Sequence, residues 1–238
     1  MCIRDRLRFL QRRYAGEQPT VKVSVTWSRM RWESISRNTI YTEDSEFKMT
    51  EQLLEIKKDL SKKLKKDRFE HTIGVMYTAA SLAMRYGEDI QKALTAGLLH
   101  DCGKFCPAKE QIKICRKKGI ELTESELEMP ALIHAKLGAY LAEHEYGIKD
   151  REIQDAITYH TTGRPDMTML EKIVYIADYI EPNRAEIPGL SEVRRLAFEE
   201  IDQAVCRSAE STTRYLRDGG KAVDPMTVRT YNFYKKEK

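Results

Sequence analysis

A chain of 238 residues has room for one globular domain and a short appendage, and 41% apolar residues are enough for an ordinary core. No apolar run approaches the ~20 residues that cross a bilayer, and the arginine-rich opening MCIRDRLRFLQRRY lacks the features of a secretory signal, so no membrane partner and a cytoplasmic location are expected. The net charge of +4 belongs to residues 1–48, with ten Lys/Arg against six Asp/Glu, while residues 49–238 carry 31 of each; a neutral domain has no global field to gather nucleic acid.

The five cysteines (Cys2, Cys102, Cys106, Cys115 and Cys206) are odd in number and follow no framework spacing. Free thiols in a reducing compartment are the simplest reading, and Cys102 with Cys106 do not have the spacing of a zinc ribbon or finger.

Residues 1–48 hold both tryptophans and show no sustained periodicity beyond a short VKVSV. They read as a leader, non-native or disordered, with the domain starting at Met49; the rival reading is a regulatory tail. From Met49 the pattern becomes helical. Thr50 and Glu51 precede Leu53, Leu54, Ile56, Leu60 and Leu64, a capped amphipathic helix over 51–65. A second helix covers 69–86, with Ile73, Val75, Met76, Ala79, Ala80 and Ala83 on its apolar face and Gly87 as its stop. A strongly apolar helix follows over 89–100, then a short one over 109–118 stopped by Gly119. Pro130 opens a helix to Tyr146, stopped by Gly147. Helices over 150–160, 168–180, 191–218 and 224–236 complete an all-α chain without a repeat, best fitted by an orthogonal helical bundle.

His100 and Asp101 close the apolar third helix just before Cys102 and Gly103. Neighbours on a regular helix point about 100° apart, but where the helix ends both can reach one cation. Imidazole with carboxylate suits Fe, Mn, Co, Ni or Zn better than Mg or Ca. The pair alone is weak evidence. His71 lies in the first turn of its helix, and Asp178 sits inside an apolar helix, where an unpaired carboxylate is costly unless it meets a partner or a metal. His134 opens one helix and His160 closes another.

The order H…HD…H…H…D, with Arg68-Phe-Glu-His71-Thr, Ala96-Gly-Leu-Leu-His-Asp101, His160-Thr-Thr-Gly-Arg164, Lys172-Ile-Val-Tyr-Ile-Ala-Asp178-Tyr-Ile-Glu-Pro-Asn-Arg184 and Asp224-Pro-Met-Thr227, resembles the HD superfamily of metal-dependent phosphohydrolases and, within it, the YqeK family. The resemblance runs from about Lys66 to Tyr234 and leaves the leader without a counterpart. It implies an HD-domain helical bundle and the symmetrical hydrolysis of diadenosine tetraphosphate to two ADP by a metal-activated water. By motif, His71, His100, Asp101 and Asp178 would ligate the metal, with iron foremost and manganese or cobalt as alternatives. Asp101 and Lys104 would be catalytic. Arg68, Asp101, Cys102, Gly103, Lys104, His134, His160, Thr161 and Arg184 would face the substrate, His134 and His160 being alternative ligands of a second ion. The dinucleoside polyphosphate is the expected partner, and a homodimer stays open. Two other functions share these residues: an HD enzyme for another nucleotide, and a non-catalytic nucleotide-binding regulator.

Other polar residues have plainer readings. His144 sits between Glu143 and Glu145 and is expected at the surface. Arg164, in a Gly-Arg-Pro turn, is equally suited to surface and phosphate. The lysines among residues 57–66 read as a solvated face.

Overall fold

The structure, a computed structural model, describes residues 50–235. The leader assigned to residues 1–48 therefore lies outside the described residues. The described residues form one compact unit. Eleven α-helices are present among the described residues, and no strand: α1 (Glu51–Lys63), α2 (Lys66–Tyr86), α3 (Ile90–Leu99), α4 (Ala108–Lys118), α5 (Glu124–Glu128), α6 (Ile133–His144), α7 (Arg151–Tyr159), α8 (Met169–Ile180), α9 (Leu190–Glu199), α10 (Ile201–Asp218) and α11 (Pro225–Tyr234). One-turn 3₁₀ segments, Cys102–Phe105 and Pro130–Leu132, precede α4 and α6.

The helices begin and end where short-range chemistry dictates. The Thr50 hydroxyl accepts the Leu53 N–H, Asp89 accepts from Gln91 and Lys92, and Asp150 accepts from Glu152. Thr168 and Glu171 form a reciprocal capping box, and Asp224 with Pro225 opens α11. Gly87 and Gly119, both at φ +70°, close α2 and α4 in the left-handed region that only glycine enters freely.

Three expectations change. The helix expected over 191–218 is two helices, broken at Glu200 (φ −144°, ψ 77°). Pro130 opens a 3₁₀ turn rather than the α-helix itself, which runs only from Ile133 to His144. The stripe of α1 excludes Leu54, which is exposed, while Leu53, Ile56 and Leu60 are buried.

The core is continuous through α2, α3, α7 and α8, with Val75, Met76, Leu94, Leu98, Ile157, Ile173 and Ile176 fully buried. Helices α2 and α3 approach to backbone contact at Gly97, where an added Cβ would stand 2.9 Å from Met76 Cα. That approach brings the end of α3 against the first turns of α2, and so His100 beside His71.

Candidate metal centre

Five helix termini meet at one place. Arg68 and His71 come from the first two turns of α2, His100 and Asp101 from the end of α3, His134 from the start of α6, His160 from the end of α7, and Asp178 from the last turn of α8. The chain leaves helical geometry at Asp101 (φ −105°, ψ 11°), which lets that carboxylate and the His100 ring turn to the same point. His71, His100, Asp101, His134 and His160 are all buried.

The two carboxylates stand among the imidazoles. His71 Nε2 is 3.0 Å from Asp178 Oδ1 and 3.8 Å from Asp101 Oδ2. His100 Nε2 is 3.5 Å from Asp101 Oδ2 and 3.9 Å from Asp178 Oδ1. On the other side of Asp101, Oδ1 is 3.2 Å from His134 Nε2 and 3.5 Å from His160 Nε2. Three overlapping donor sets result, His71/His100/Asp101, His100/His160/Asp178 and Asp101/His134/His160, with the donor atoms within 4.8 Å of one another in each.

The outward nitrogens define the tautomers. His100, His134 and His160 direct Nδ1 to the carbonyls of Gly97, Ala131 and Ile157, each at 2.7 Å, and His71 directs Nδ1 to Glu181 Oε1 at 3.1 Å. A carbonyl accepts only from an N–H, so each of those three rings presents an Nε2 lone pair inward. His134 Nε2 and His160 Nε2 face each other at 3.1 Å, a repulsive arrangement of lone pairs unless a proton or cation lies near. His71 Nε2, His100 Nε2 and Asp101 Oδ1 are buried without a hydrogen bond. Buried, unsatisfied imidazole and carboxylate atoms converging on one point fit a divalent transition metal.

Electrostatics keep the donors ready. Burial pushes the His100 pKa down, and burial also lowers His134, to about 4, leaving its imidazole neutral and basic to a metal near pH 7. Burial opposes ionisation of Asp101, but the His100, His134 and His160 rings packed around it outweigh that and hold the carboxyl well below its usual range. Asp178 is held low in the same way, against burial, by the His71 and His100 rings beside it and the Arg184 guanidinium.

Cations line the approach. Arg68 Nη1 donates to Asp101 Oδ2 at 2.8 Å, Lys104 Nζ lies 2.9 Å from Asp101 Oδ1, and Arg184 Nη2 donates to Asp178 Oδ1 at 2.5 Å. Two cavities flank the cluster and share Arg184: one of about 520 Å³ beside Arg68, His71 and Lys65, and one of about 340 Å³ lined by His160, Thr161, Asp178 and Tyr179. All six residues expected as metal ligands or second-ion ligands thus come together, with Arg68, Lys104, Thr161 and Arg184 around them.

Other residues are placed differently. Cys102 and Gly103, which the resemblance put with the substrate, turn into the fold. The Cys102 thiol donates to the Gly138 carbonyl, and a Cβ on Gly103 would lie 2.3 Å from the His134 carbonyl. Arg164 clamps the buried Glu171 carboxylate with two hydrogen bonds of 2.6 and 3.0 Å. His144 is exposed and stacks on Tyr140. The four described cysteines are free. Two residues were not anticipated. Glu181 holds His71, and Tyr179, one residue past Asp178, lines the smaller cavity with its hydroxyl buried and unpartnered. In the sequence Glu181 stands within the motif stretch from Lys172 to Arg184 and three residues after Asp178, a spacing that puts both on one helix face.

The HD domain family model matches residues 68–183. A symmetrical bis(5'-nucleosyl)-tetraphosphatase of Bacillus subtilis is 45% identical over 174 residues, covering 73% of this chain and 92% of that protein. The chain belongs to this family of HD-domain hydrolases. The family member of Staphylococcus aureus with the same description is 37% identical over 175 residues, 72% of this chain and 89% of that one. A crystal structure of a predicted HD superfamily hydrolase involved in NAD metabolism, from Clostridium acetobutylicum, superposes with a TM-score of 0.73 at 41% identity, covering 76% of this chain and 95% of its own. The all-helical HD bundle expected from the motifs is the fold of the family and of this chain. No helix among the described residues is long and apolar enough to cross a membrane.

Proposed function

We propose that this chain hydrolyses diadenosine tetraphosphate to two ADP, with His71, His100, Asp101 and Asp178 holding an iron ion and Asp101 and Lys104 acting in the chemistry. The observation that carries the reading is the convergence of inward imidazole nitrogens on two buried carboxylates, ringed by Arg68, Lys104 and Arg184, in a chain that spans 92% of a curated symmetrical tetraphosphatase. Iron is preferred on the strength of the family resemblance, with manganese or cobalt able to substitute, since imidazole and carboxylate donors suit all three ions.

A bound metal supplies a water activated near neutral pH and a Lewis acid for a phosphoryl oxygen. The remaining work falls to the side chains. Arg68, Lys104 and Arg184 bring three positive charges to a polyanion that carries its charge on the phosphoryl oxygens, the arginines through bidentate contact. Asp101, held as the carboxylate, orients the attacking water by accepting a hydrogen bond from it, and the water's proton passes to solvent. Water adds to one inner phosphorus, the bond from that phosphorus to the central bridging oxygen breaks, and ADP departs; the added oxygen completes the second ADP. His134 and His160 hold a second ion through their inward Nε2 lone pairs, or donate to phosphate oxygens when protonated, and Thr161 offers its hydroxyl beside them.

The test is product analysis on protein starting at Met49, purified without chelator and supplied with iron or manganese. Chromatography should show ADP alone from diadenosine tetraphosphate, with chelator suppressing it. AMP with ATP would move the attack to an outer phosphorus. An absence of cleavage with every metal would overturn the reading in favour of another phosphate substrate or a regulatory role.

A further inference from the structure

The four imidazoles of the cluster are not held alike. His100, His134 and His160 each lean on a main-chain carbonyl three residues back. His71 leans on a carboxylate, Glu181 Oε1, at 3.1 Å. Glu181 is 1% exposed, and among the described residues its ion-pair partner is this imidazole. Its other oxygen accepts the Asn183 N–H at 2.7 Å.

The main chain around Glu181 is fastened from outside. Arg194 donates from Nε to the Ile180 carbonyl at 3.1 Å and from Nη2 to the Glu181 carbonyl at 3.2 Å, at the open end of α8. The carboxylate lies over Gly74, three residues beyond His71 on the same face of α2. A Cβ built on Gly74 would stand 2.3 Å from Glu181 Oε2 and 3.2 Å from its Cδ. The absent side chain of Gly74 is the space that the carboxylate fills.

A buried carboxylate answered by an imidazole is costly by itself, since burying one charge demands its opposite nearby. The cost falls when the far nitrogen of that imidazole faces a cation, because carboxylate, ring and ion then form one polarised line. His71 Nε2 is the buried, unsatisfied atom on that far side. The carboxylate accepts the hydrogen bond from Nδ1–H, which keeps the Nε2 lone pair inward and makes it more basic. A carbonyl does the same less strongly.

We propose that Glu181, seated in the gap left by Gly74, is a positioning residue that holds His71 as a strong metal ligand. The proposal rests on the reading of His71 as a ligand. It makes Gly74 part of the metal centre through Glu181, although Gly74 has no side chain to offer.

The test compares Glu181→Gln, Gly74→Ala, the double variant and His71→Ala by Mn²⁺ affinity in competition with a chelator, and by the melting temperature of the stripped proteins. Glu181→Gln should weaken Mn²⁺ binding by roughly 10- to 100-fold, the range for an outer partner of a ligating histidine, while the stripped protein melts within a few degrees of the parent. Gly74→Ala should weaken it in the same direction, because only the flexible end of Glu181 has to move aside. The double variant should match Glu181→Gln within about twofold, since the two act through one contact. If His71→Ala loses Mn²⁺ while Glu181→Gln binds like the parent, the positioning role is overturned and the ligand assignment stands. If His71→Ala itself binds like the parent, the ligand reading fails and the proposal with it. Additive losses in the double variant would separate Gly74 from Glu181. A stripped Glu181→Gln protein that melts much lower would make the contact structural; if it does not fold, Gly74→Ala carries the comparison.

Discussion

Replacing Asp101 with alanine should separate activity from stability by a wide margin. The carboxylate is 1% exposed and holds Arg68 at 2.8 Å and Lys104 at 2.9 Å, with four imidazoles within 3.8 Å. Breaking a fully buried ion pair costs about 3–5 kcal/mol because the stranded partner cannot be hydrated. Here the stranded partners can be: the Arg68 side chain is 38% exposed and Lys104 28%. The expected loss of stability is therefore about 1–2 kcal/mol, or roughly 2–8 °C in melting temperature for a domain of this size. Turnover should suffer far more, since the variant loses a metal donor and the group that orients water. Several kcal/mol of transition-state stabilisation correspond to about 10³-fold or more in rate. The assay is ADP release from diadenosine tetraphosphate under manganese or iron, with far-ultraviolet circular dichroism on the same samples. Turnover within tenfold of the parent, with normal helicity, would refute the placement of Asp101 at the reacting centre.

Arg164→Ala should destabilise by about 2 kcal/mol, because the buried Glu171 loses a bidentate cation and keeps only its capping bonds. Activity per folded molecule should not change; a fall in turnover without a fall in melting temperature would return Arg164 to the phosphate pocket. His144→Ala, at an exposed ring stacked on Tyr140, should leave both turnover and metal content at parental levels, and a loss of metal would refute its surface assignment. Chelator-stripped protein should lose stability on mild acidification. His134 titrates at about 4 when folded and near its ordinary 6.5 when unfolded, so its contribution is complete above 6.5 and is lost as pH falls toward 4. That gap corresponds to about 3 kcal/mol. The lowered Asp101 and Asp178 extend the loss in the same direction at lower pH. Urea melts of stripped protein at pH 7.5 and 4.5 measure it, and equal midpoints would contradict the burial of a neutral His134.

Much of the helical skeleton was legible because its signals are local. Thr50, Asp150, Thr168 and Asp224 cap helices through groups two or three residues away, and Gly87 and Gly119 end them by backbone freedom alone. Two features escaped that logic. Helix α5 has a full capping box between Thr123 and Glu126, but its five residues are too short for an apolar period to register. The break at Glu200 involves neither proline nor glycine, and apolar residues continue across it from Leu196 and Ala197 to Ile201 and Ala204, all buried. Periodicity cannot reveal a break that leaves the buried face intact.

At the site, motif spacing named the donors His71, His100, Asp101, Asp178, His134 and His160, because residue type and helix ends are properties of the chain itself. Which atoms face one another was decided only by packing. Gly97 lets α2 and α3 touch, and that contact puts His100 beside His71. Glu181 had no motif role until α8 laid its last turn over Gly74, and Arg164 read as surface or phosphate until Glu171 proved to be its partner. The sequence by itself determined the helices, their caps and the identity of the donors, since each depends on neighbours a few residues away. The tertiary structure alone decided which imidazoles share the Asp101 and Asp178 carboxylates and which carboxylate stands behind His71, since His71 meets Asp101, Asp178 and Glu181, and Asp101 meets His134 and His160, across more than twenty positions of chain.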